Sequence, residues 1–214
     1  MKKFVSFVVF AALTACSNPE KTGRFLIDPP DQGVRVANRL GSAELRDVSL
    51  PEYASGQEVS WQTEDGAVRS NPKSLWADNP QRAFTLTLAR AISDISGATV
   101  IAEPWPLSAP PRRRLEVRVE KALAGADGVY RLTGRYFVST EDFSGGADTA
   151  RSFNIAIPLA AEGPGAIARA QSQAISQLAA QIAQLQGPGA NLPAGTGQSG
   201  PLRMPEALTA EPIL

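Results

Sequence analysis

The fold is decided by residues 115–138, which read LEVRVEKALAGADGVYRLTGRYFV. Apolar side chains occupy every second position, and charged or polar side chains lie between them. This alternation is typical of β-strands with one face in a core and the other in water. The stretch therefore predicts a long antiparallel hairpin with a turn at 124–128. Its Glu and Arg side chains are expected to pair across the strands at about 0.2–1 kcal/mol per pair. The predicted inner row contains Leu115, Val117, Val119, Tyr130, Leu132, Gly134, Tyr136 and Val138.

Shorter segments on both sides of this hairpin also predict strands. The first is an apolar run that ends at Asp28-Pro29-Pro30, where prolines interrupt extended structure. Another pair of segments flanks Asp65-Gly66, a dipeptide that is typical of hairpin turns. The predicted strands lie at 25–27, 34–50 (one bent strand or two pieces interrupted at Gly41-Ser42), 58–63, 67–70, 99–102 and 153–157.

Two segments have the three-to-four-residue spacing of apolar side chains that predicts a helix. The first begins at Asn79-Pro80, a suitable helix N-terminus, and stops at Gly97. The second begins at Gly163-Pro164-Gly165, continues to Leu185 and carries very little charge. This second helix either packs only on the sheet or also packs on a neighbouring subunit.

These segments predict one α+β domain at 24–186, with an antiparallel-rich mixed sheet and two principal helices on one face. From residue 187 to residue 214 the chain is rich in Gly and Pro and has no periodic apolar face. This composition predicts a disordered tail.

The N-terminal segment 1–15 has the features of a secretory signal peptide. Lys2 and Lys3 are followed by an apolar stretch that is shorter than the roughly 20 residues needed to span a membrane. The sequence Leu13-Thr14-Ala15-Cys16 resembles the bacterial lipobox. That resemblance implies cleavage after Ala15, a diacylglycerol thioether on Cys16 and acylation of the new amino group. Residues 16–23 are then the lipidated cysteine and a tether, and Ser17 implies export to the outer membrane in enteric-type lipoproteins.

The composition argues against several classes of function. The chain has 21 basic and 21 acidic residues, so its net charge does not favour nucleic acid as a partner. It has no histidine, the commonest general base and metal ligand. Its single cysteine is Cys16, which leaves no zinc site of the Cys/His type. We therefore predict a protein that is not an enzyme, with no catalytic residues, no metal and no cofactor.

Two loop motifs are candidates for a partner interface. Leu50, Pro51 and Tyr53 form the first, and Leu75 and Trp76 form the second. Each motif places a large aromatic side chain outside any clean core periodicity, and exposed aromatics often mark contact surfaces. Alternatively, Tyr53 and Trp76 plug the ends of the sheet. The basic run 112–114 has two interpretations as well, contact with lipid phosphates or a solvated strand entrance.

The order of these motifs resembles one known family. A lipobox, a strand ending in Asp-Pro-Pro, Leu50-Pro51-Glu52-Tyr53, an Asp-Gly hairpin, Leu75-Trp76-Ala77 before a helix, a long charged hairpin and a terminal helix follow one another. This resembles the ABC-type transport auxiliary lipoproteins of the PqiC/YmbA type, also described as membrane integrity-associated transporter subunits, over residues 24–186. The resemblance implies no catalytic residues in this chain.

The resemblance implies a non-catalytic lipoprotein component of a system built on mammalian-cell-entry (MCE) proteins, which moves lipids between membranes and supports envelope integrity. The implied partner is a PqiB-like, MCE-domain periplasmic protein that forms a conduit. The lipoprotein would dock this conduit at the periplasmic face of the outer membrane, held by its lipid anchor. Ring-shaped assembly of several copies is a further hypothesis. The alternative is a stand-alone periplasmic lipoprotein that binds a lipid or a peptide.

Overall fold

The computed structural model describes residues 21–30, 33, 35–140 and 147–192. These residues form an α+β fold with a mixed sheet, as the sequence predicts. The strands are β1 (Gly23–Phe25), β2 (Ser42–Leu45), β3 (Glu58–Gln62), β4 (Val68–Trp76), β5 (Thr99–Ala102), β6 (Arg113–Ala124), β7 (Val129–Thr140), β8 (Asp148–Pro158) and β9 (Gly189–Leu192). The helices are α1 (Glu52–Ser55), α2 (Pro80–Ser96) and α3 (Pro164–Ala183).

The predicted hairpin is the centre of the sheet. Strands β6 and β7 pair antiparallel from Arg113↔Thr140 to Ala124↔Tyr130, with a register shift between Val119 and Lys121. On the inner side of β7 lies Gly134, where a Cβ atom would come within 2.2 Å of the Arg118 carbonyl oxygen. A side chain at this position would collide with backbone, so the two strands approach closely only because residue 134 is glycine.

The sheet branches at β6. Its main path runs β1-β4-β3-β6-β7-β8-β9, while β2 pairs with the beginning of β6 and with β5. The pairs made by the C-terminal strands β6 to β9 with one another are antiparallel. By contrast, β1 pairs parallel with β4, and β2 pairs parallel with both β5 and β6. The N-terminal strands therefore find their partners far along the chain.

Both principal helices join the inner side chains of the sheet in one hydrophobic core. The side chain of Asn79 caps α2 by accepting from the Arg82 N–H at 3.0 Å, and Gly97 ends this helix in the left-handed conformation. Phe84, Leu88 and Ile92 are fully buried, as the spacing predicts. Helix α3 is buried beyond its apolar stripe, since Gln171, Ser172 and Ser176 are also buried. The described part of the chain itself covers most of α3.

Several predicted boundaries need correction. The first strand ends at Phe25 instead of Ile27, since its ladder to β4 ends at Trp76. Of the described residues 35–50, only β2 and a bridge at Ser49 pair as strand, β2 with β5 and β6 and Ser49 with Arg118 on β6. The strand predicted at 67–70 continues to Trp76, where it pairs with β1 as well as β3.

The predicted disordered tail begins too early. Residues 189–192 form β9, which pairs antiparallel with β8 from Asp148↔Leu192 to Arg151↔Gly189. Gly189 has φ +151°, and a Cβ there would lie 2.0 Å from the Ala150 carbonyl oxygen. Glycine thus permits the close approach that an edge strand requires. The signal peptide, Cys16 and residues 193–214 lie outside the described residues.

Candidate functional site

The first motif is built into the junction between β3, β6 and α3. Tyr53 lies on α1, and its hydroxyl oxygen accepts a hydrogen bond from the Ala122 N–H at 3.2 Å. The Ser60 hydroxyl donates to the Tyr53 carbonyl at 3.0 Å. Tyr53 therefore ties α1 to β3 and β6, which supports the interpretation that it closes an end of the sheet.

In the second motif, the structure favours the interpretation that the aromatic closes an end of the sheet over the interpretation that it is an exposed contact residue. Trp76 is only 6% exposed and belongs to the core. The backbone N–H of Trp76 donates to the Gln57 carbonyl at 2.8 Å. Trp76 is aligned with Phe25 across the β1–β4 pair. The loop before α2 is extended strand here, so the aromatic ring points inward with the alternation of β4.

The structure brings the two aromatic residues together. Tyr53 and Trp76 line the same small cavity of about 10 Å³, along with Tyr130 and Gln171. Burial raises the pKa of the Tyr130 hydroxyl far above its usual range. Both motif aromatics therefore stabilise the domain from within.

The aliphatic members of the motifs are more accessible than Trp76. Leu50, Pro51 and Leu75 are each half-buried. Leu75 follows the alternation of β4 away from Trp76, and its register partners are Arg24 on β1 and Glu58 on β3. Leu75 is therefore the motif residue that remains on the outer side of the sheet.

An apolar groove that the sequence did not predict lies between the end of β1 and helix α2. Leu26 is 69% exposed and Leu86 is 47% exposed. Both side chains line two adjoining cavities of about 160 and 330 Å³, and Phe25 and Trp76 also line the smaller one. We call this feature the Leu26–Leu86 groove. Leu86 lies off the predicted apolar face of α2, and this was the one signal in the sequence that could have revealed the groove.

Ion pairs lie beside this groove. Arg82 Nη1 lies 3.1 Å from Asp78 Oδ1, and Arg90 Nη2 lies 3.0 Å from Asp28 Oδ1. All four side chains are substantially exposed, so these pairs add little stability. They make the rim of the groove charged but locally balanced.

A second concave feature is polar. A cleft of about 790 Å³ lies between residues 28–30, 33 and 35 on one side and the two principal helices on the other, and Asp28, Arg35, Arg90 and Asp94 are among its lining residues. The buried Ser176 hydroxyl also lines it and has no hydrogen-bond partner among the described residues. Nearby, the Asp28 N–H donates to the Ser172 hydroxyl oxygen at 3.0 Å. This lining suits polar groups better than acyl chains.

The outer face of the central hairpin carries charges, as predicted. Arg135 Nε on β7 lies 3.5 Å from Glu120 Oε1 on β6, which confirms a cross-strand pair. The Arg118 guanidinium lies 5.2 Å from the centre of the Phe137 ring. At the start of β6, Arg114 pairs with Glu44 at 3.8 Å, a position that fits the strand-entrance interpretation of the basic run.

The turn of the hairpin has its own charge pair. The Arg131 side chain donates to both carboxylate oxygens of Asp127. These bonds lower the pKa of Asp127 to about 2. The pair therefore helps to fix the turn between β6 and β7.

Two further properties of the described residues concern membranes and metals. No helix among them is both long and apolar enough to cross a membrane. No group of three or more His, Cys, Asp or Glu side chains within 21–192, where described, could hold a metal ion.

Comparisons with known proteins agree on the fold. One crystal structure, of an uncharacterized protein, is 20% identical with a TM-score of 0.58 and covers 71% of this chain and 97% of its own. The crystal structure of protein XCC0632 from Xanthomonas campestris, assigned to DUF330, is 14% identical with a TM-score of 0.51 and covers 76% of this chain and 90% of its own. No curated protein matches the sequence.

The sequence pattern of one family matches the chain from β1 to the end of α3. Its description is ABC-type transport auxiliary lipoprotein component, and the match covers residues 25–183. These residues include the central hairpin, both motifs and both principal helices. The chain therefore belongs to the family of ABC-type transport auxiliary lipoprotein components.

Proposed function

We propose that this protein is the outer-membrane lipoprotein component of an MCE-type lipid transport system. In this role it is a non-catalytic adaptor that docks the periplasmic MCE conduit at the membrane and supports envelope integrity. The observation that carries the proposal is the family match over nearly the whole described fold, which begins nine residues after the lipobox cysteine Cys16. A folded domain that follows a short lipidated tether is suited to holding another protein near a membrane.

The anchor is the first part of the proposal to test. The variant Cys16→Ser should remain unprocessed and unlipidated, because only the thiol forms the thioether. Metabolic labelling with palmitate and the intact mass of the purified protein measure both effects. A Cys16→Ser protein that still takes up label would contradict the assignment.

The choice of membrane needs a separate experiment. The wild-type protein should fractionate with the outer membrane, whereas Ser17→Asp should shift it towards the inner membrane if the enteric sorting rule holds. Density-gradient separation of the two membranes measures this shift. Equal inner-membrane residence of both proteins would contradict the proposed location.

The partner can be identified by photocrosslinking in intact cells. Leu75 and Leu50 are half-buried members of the family motifs, so a photoreactive amino acid at either position can reach a bound protein without replacing a core residue. We expect an adduct with an MCE-domain protein from these positions. Leu107, which is 51% exposed in the Pro-rich loop, is the matched control and should yield none. The same adduct from position 107 alone would exclude docking through the motifs.

The alternative is a stand-alone lipoprotein that binds a lipid or a peptide. A lipid carrier would need an apolar cavity between sheet and helices, and the cavity at Tyr53 and Trp76 holds only about 10 Å³. The cleft of about 790 Å³ beside Ser176 has a polar lining and favours a peptide over a lipid. Native mass spectrometry of the protein purified from cells would reveal such a ligand.

A further inference from the structure

We propose that the Leu26–Leu86 groove rests on the surface of the bilayer that holds the anchor, so that the domain has a fixed membrane-facing side. This inference deepens the proposed function, because it rests on lipidation of Cys16. It assigns the groove one occupant, the interfacial region of a lipid bilayer.

The first argument is the clustering of exposed apolar side chains. Leu26 and Leu86 line the same two cavities, so their exposed surfaces are continuous. Among the described residues, three further large apolar side chains are exposed, and they lie on β4, in the Pro-rich loop and on β9: Val68, Leu107 and Leu192. Single exposed apolar residues are normal on soluble proteins, whereas adjoining ones mark a contact surface.

The second argument is the length of the tether. Seven peptide steps separate Cys16 from Gly23 at the start of β1, so a fully extended tether spans at most about 25 Å. Leu26 follows β1 directly. An anchored protein therefore holds the groove within a short distance of the lipid headgroups.

The third argument is charge. Lys21 in the tether and Arg24 on β1 both precede the groove in the chain, and both are exposed. Interfacial binding increases with buried apolar area and with the attraction of basic residues to anionic lipids. Arg82 and Arg90 beside the groove have long aliphatic stems, which can lie along apolar surface while the guanidinium groups stay in the headgroup layer. Lys21 and Arg24 thus add positive charge beside an apolar groove whose own rim is balanced by the Arg82–Asp78 and Arg90–Asp28 pairs.

The experiment uses the full-length lipidated protein reconstituted into phosphatidylethanolamine–phosphatidylglycerol vesicles. Cys16 is the only natural cysteine, and lipidation occupies its thiol, so Leu26→Cys and Leu86→Cys can each carry a single nitroxide label. Leu107→Cys is the matched control, because Leu107 is as exposed as Leu86. Electron paramagnetic resonance then measures collision of each label with oxygen, which concentrates in lipid, and with a water-soluble nickel chelate.

We expect reconstitution to raise the oxygen-to-nickel collision ratio at positions 26 and 86 and to leave it unchanged at position 107. Equal ratios at all three positions, in protein that floats with the vesicles, would overturn the inference while leaving the anchor intact. Loss of both collisions at 26 and 86 would mean that protein covers the groove, which also overturns it. A wild-type protein that does not float with the vesicles would overturn the proposed anchor itself.

Discussion

The central hairpin is held by strands that are neighbours along the chain, whereas the corner formed by β1, β4 and α2 joins segments that are far apart in the sequence. Strands β6 and β7 contain 12 residues each and pair with their neighbour along the chain. Strand β1 has three residues and pairs parallel with β4, where Gly23 is aligned with Ser74. The hairpin is held by a long local ladder, whereas the corner depends on a few side chains from distant segments. The exposed groove therefore lies at the end of β1, where the ladder of paired residues is only three residues long.

The largest effect should come from the side chain that holds the corner. Trp76→Ala should lower the free energy of unfolding by about 3–5 kcal/mol, because it removes a large side chain from the core. Denaturant unfolding measures the change, with the adjacent half-buried Leu75→Ala as control. If Trp76→Ala unfolds like the wild-type protein but loses its partner adduct, Trp76 acts as an interface residue after all.

The hairpin should be most sensitive where its strands are closest. Gly134→Ala should destabilise the domain by about 3 kcal/mol, because the new Cβ would meet the Arg118 carbonyl and the Phe153 ring. Gly56→Ala is the control, since it has open space and φ −67°. Similar unfolding midpoints for both variants would show that β6 and β7 can move apart enough to accept a Cβ atom at position 134 at little cost in stability.

A single hydroxyl should matter at the N-terminal side of the molecule. The buried Thr85 hydroxyl accepts from the Val48 N–H at 3.0 Å and donates to the Gln81 carbonyl at 2.8 Å. Thr85→Val should cost about 2 kcal/mol, because it leaves the Val48 N–H buried without a partner. Hydrogen exchange at Val48 should also accelerate, whereas Thr85→Ser should retain protection. Unchanged exchange in Thr85→Val would mean that this contact does not hold the segment.

The smallest effect concerns the hairpin turn at low pH. The pKa of Asp127 is about 2 in the folded protein because Arg131 donates to its carboxylate, against 3.8 for the free group. A lowered folded pKa adds stability above pH 3.8, and this contribution is lost as the pH falls from 3.8 towards 2. Carbonyl NMR titration should place the midpoint near 2 and move it up in Arg131→Met. An unchanged midpoint in that variant would exclude Arg131 as the cause.

Sequence periodicity predicted the elements that depend on neighbours along the chain. The alternation at 115–138 predicted β6 and β7, the Asp65-Gly66 turn predicted the β3–β4 hairpin, and Asn79-Pro80 predicted the start of α2. The family was also recognisable from short motifs, and the family match confirms it. The sequence left open whether the Trp76 side chain is buried or exposed, because its burial depends on pairing with β1.

Other features had little or no local signal. Strand β9 was assigned to the tail, because four residues rich in small side chains become a strand only beside the open edge of β8. The Leu26–Leu86 groove needed β1 to be placed beside α2, and residues 26 and 86 are far apart along the chain. Cys16, the site residue with the strongest sequence signal, lies outside the described part of the chain.

By itself, the sequence determined the hairpin, the two principal helices and the α+β class, because alternation and helical spacing act between residues close in the chain. It also predicts a lipobox at Leu13-Thr14-Ala15-Cys16, since a processing signal is a linear pattern of residues. Only the tertiary structure decided that Trp76 lies inside, that α3 is covered nearly all round and that Leu26 and Leu86 meet at the surface. Those outcomes depend on parallel pairing and packing between distant segments, for which local spacing carries no information.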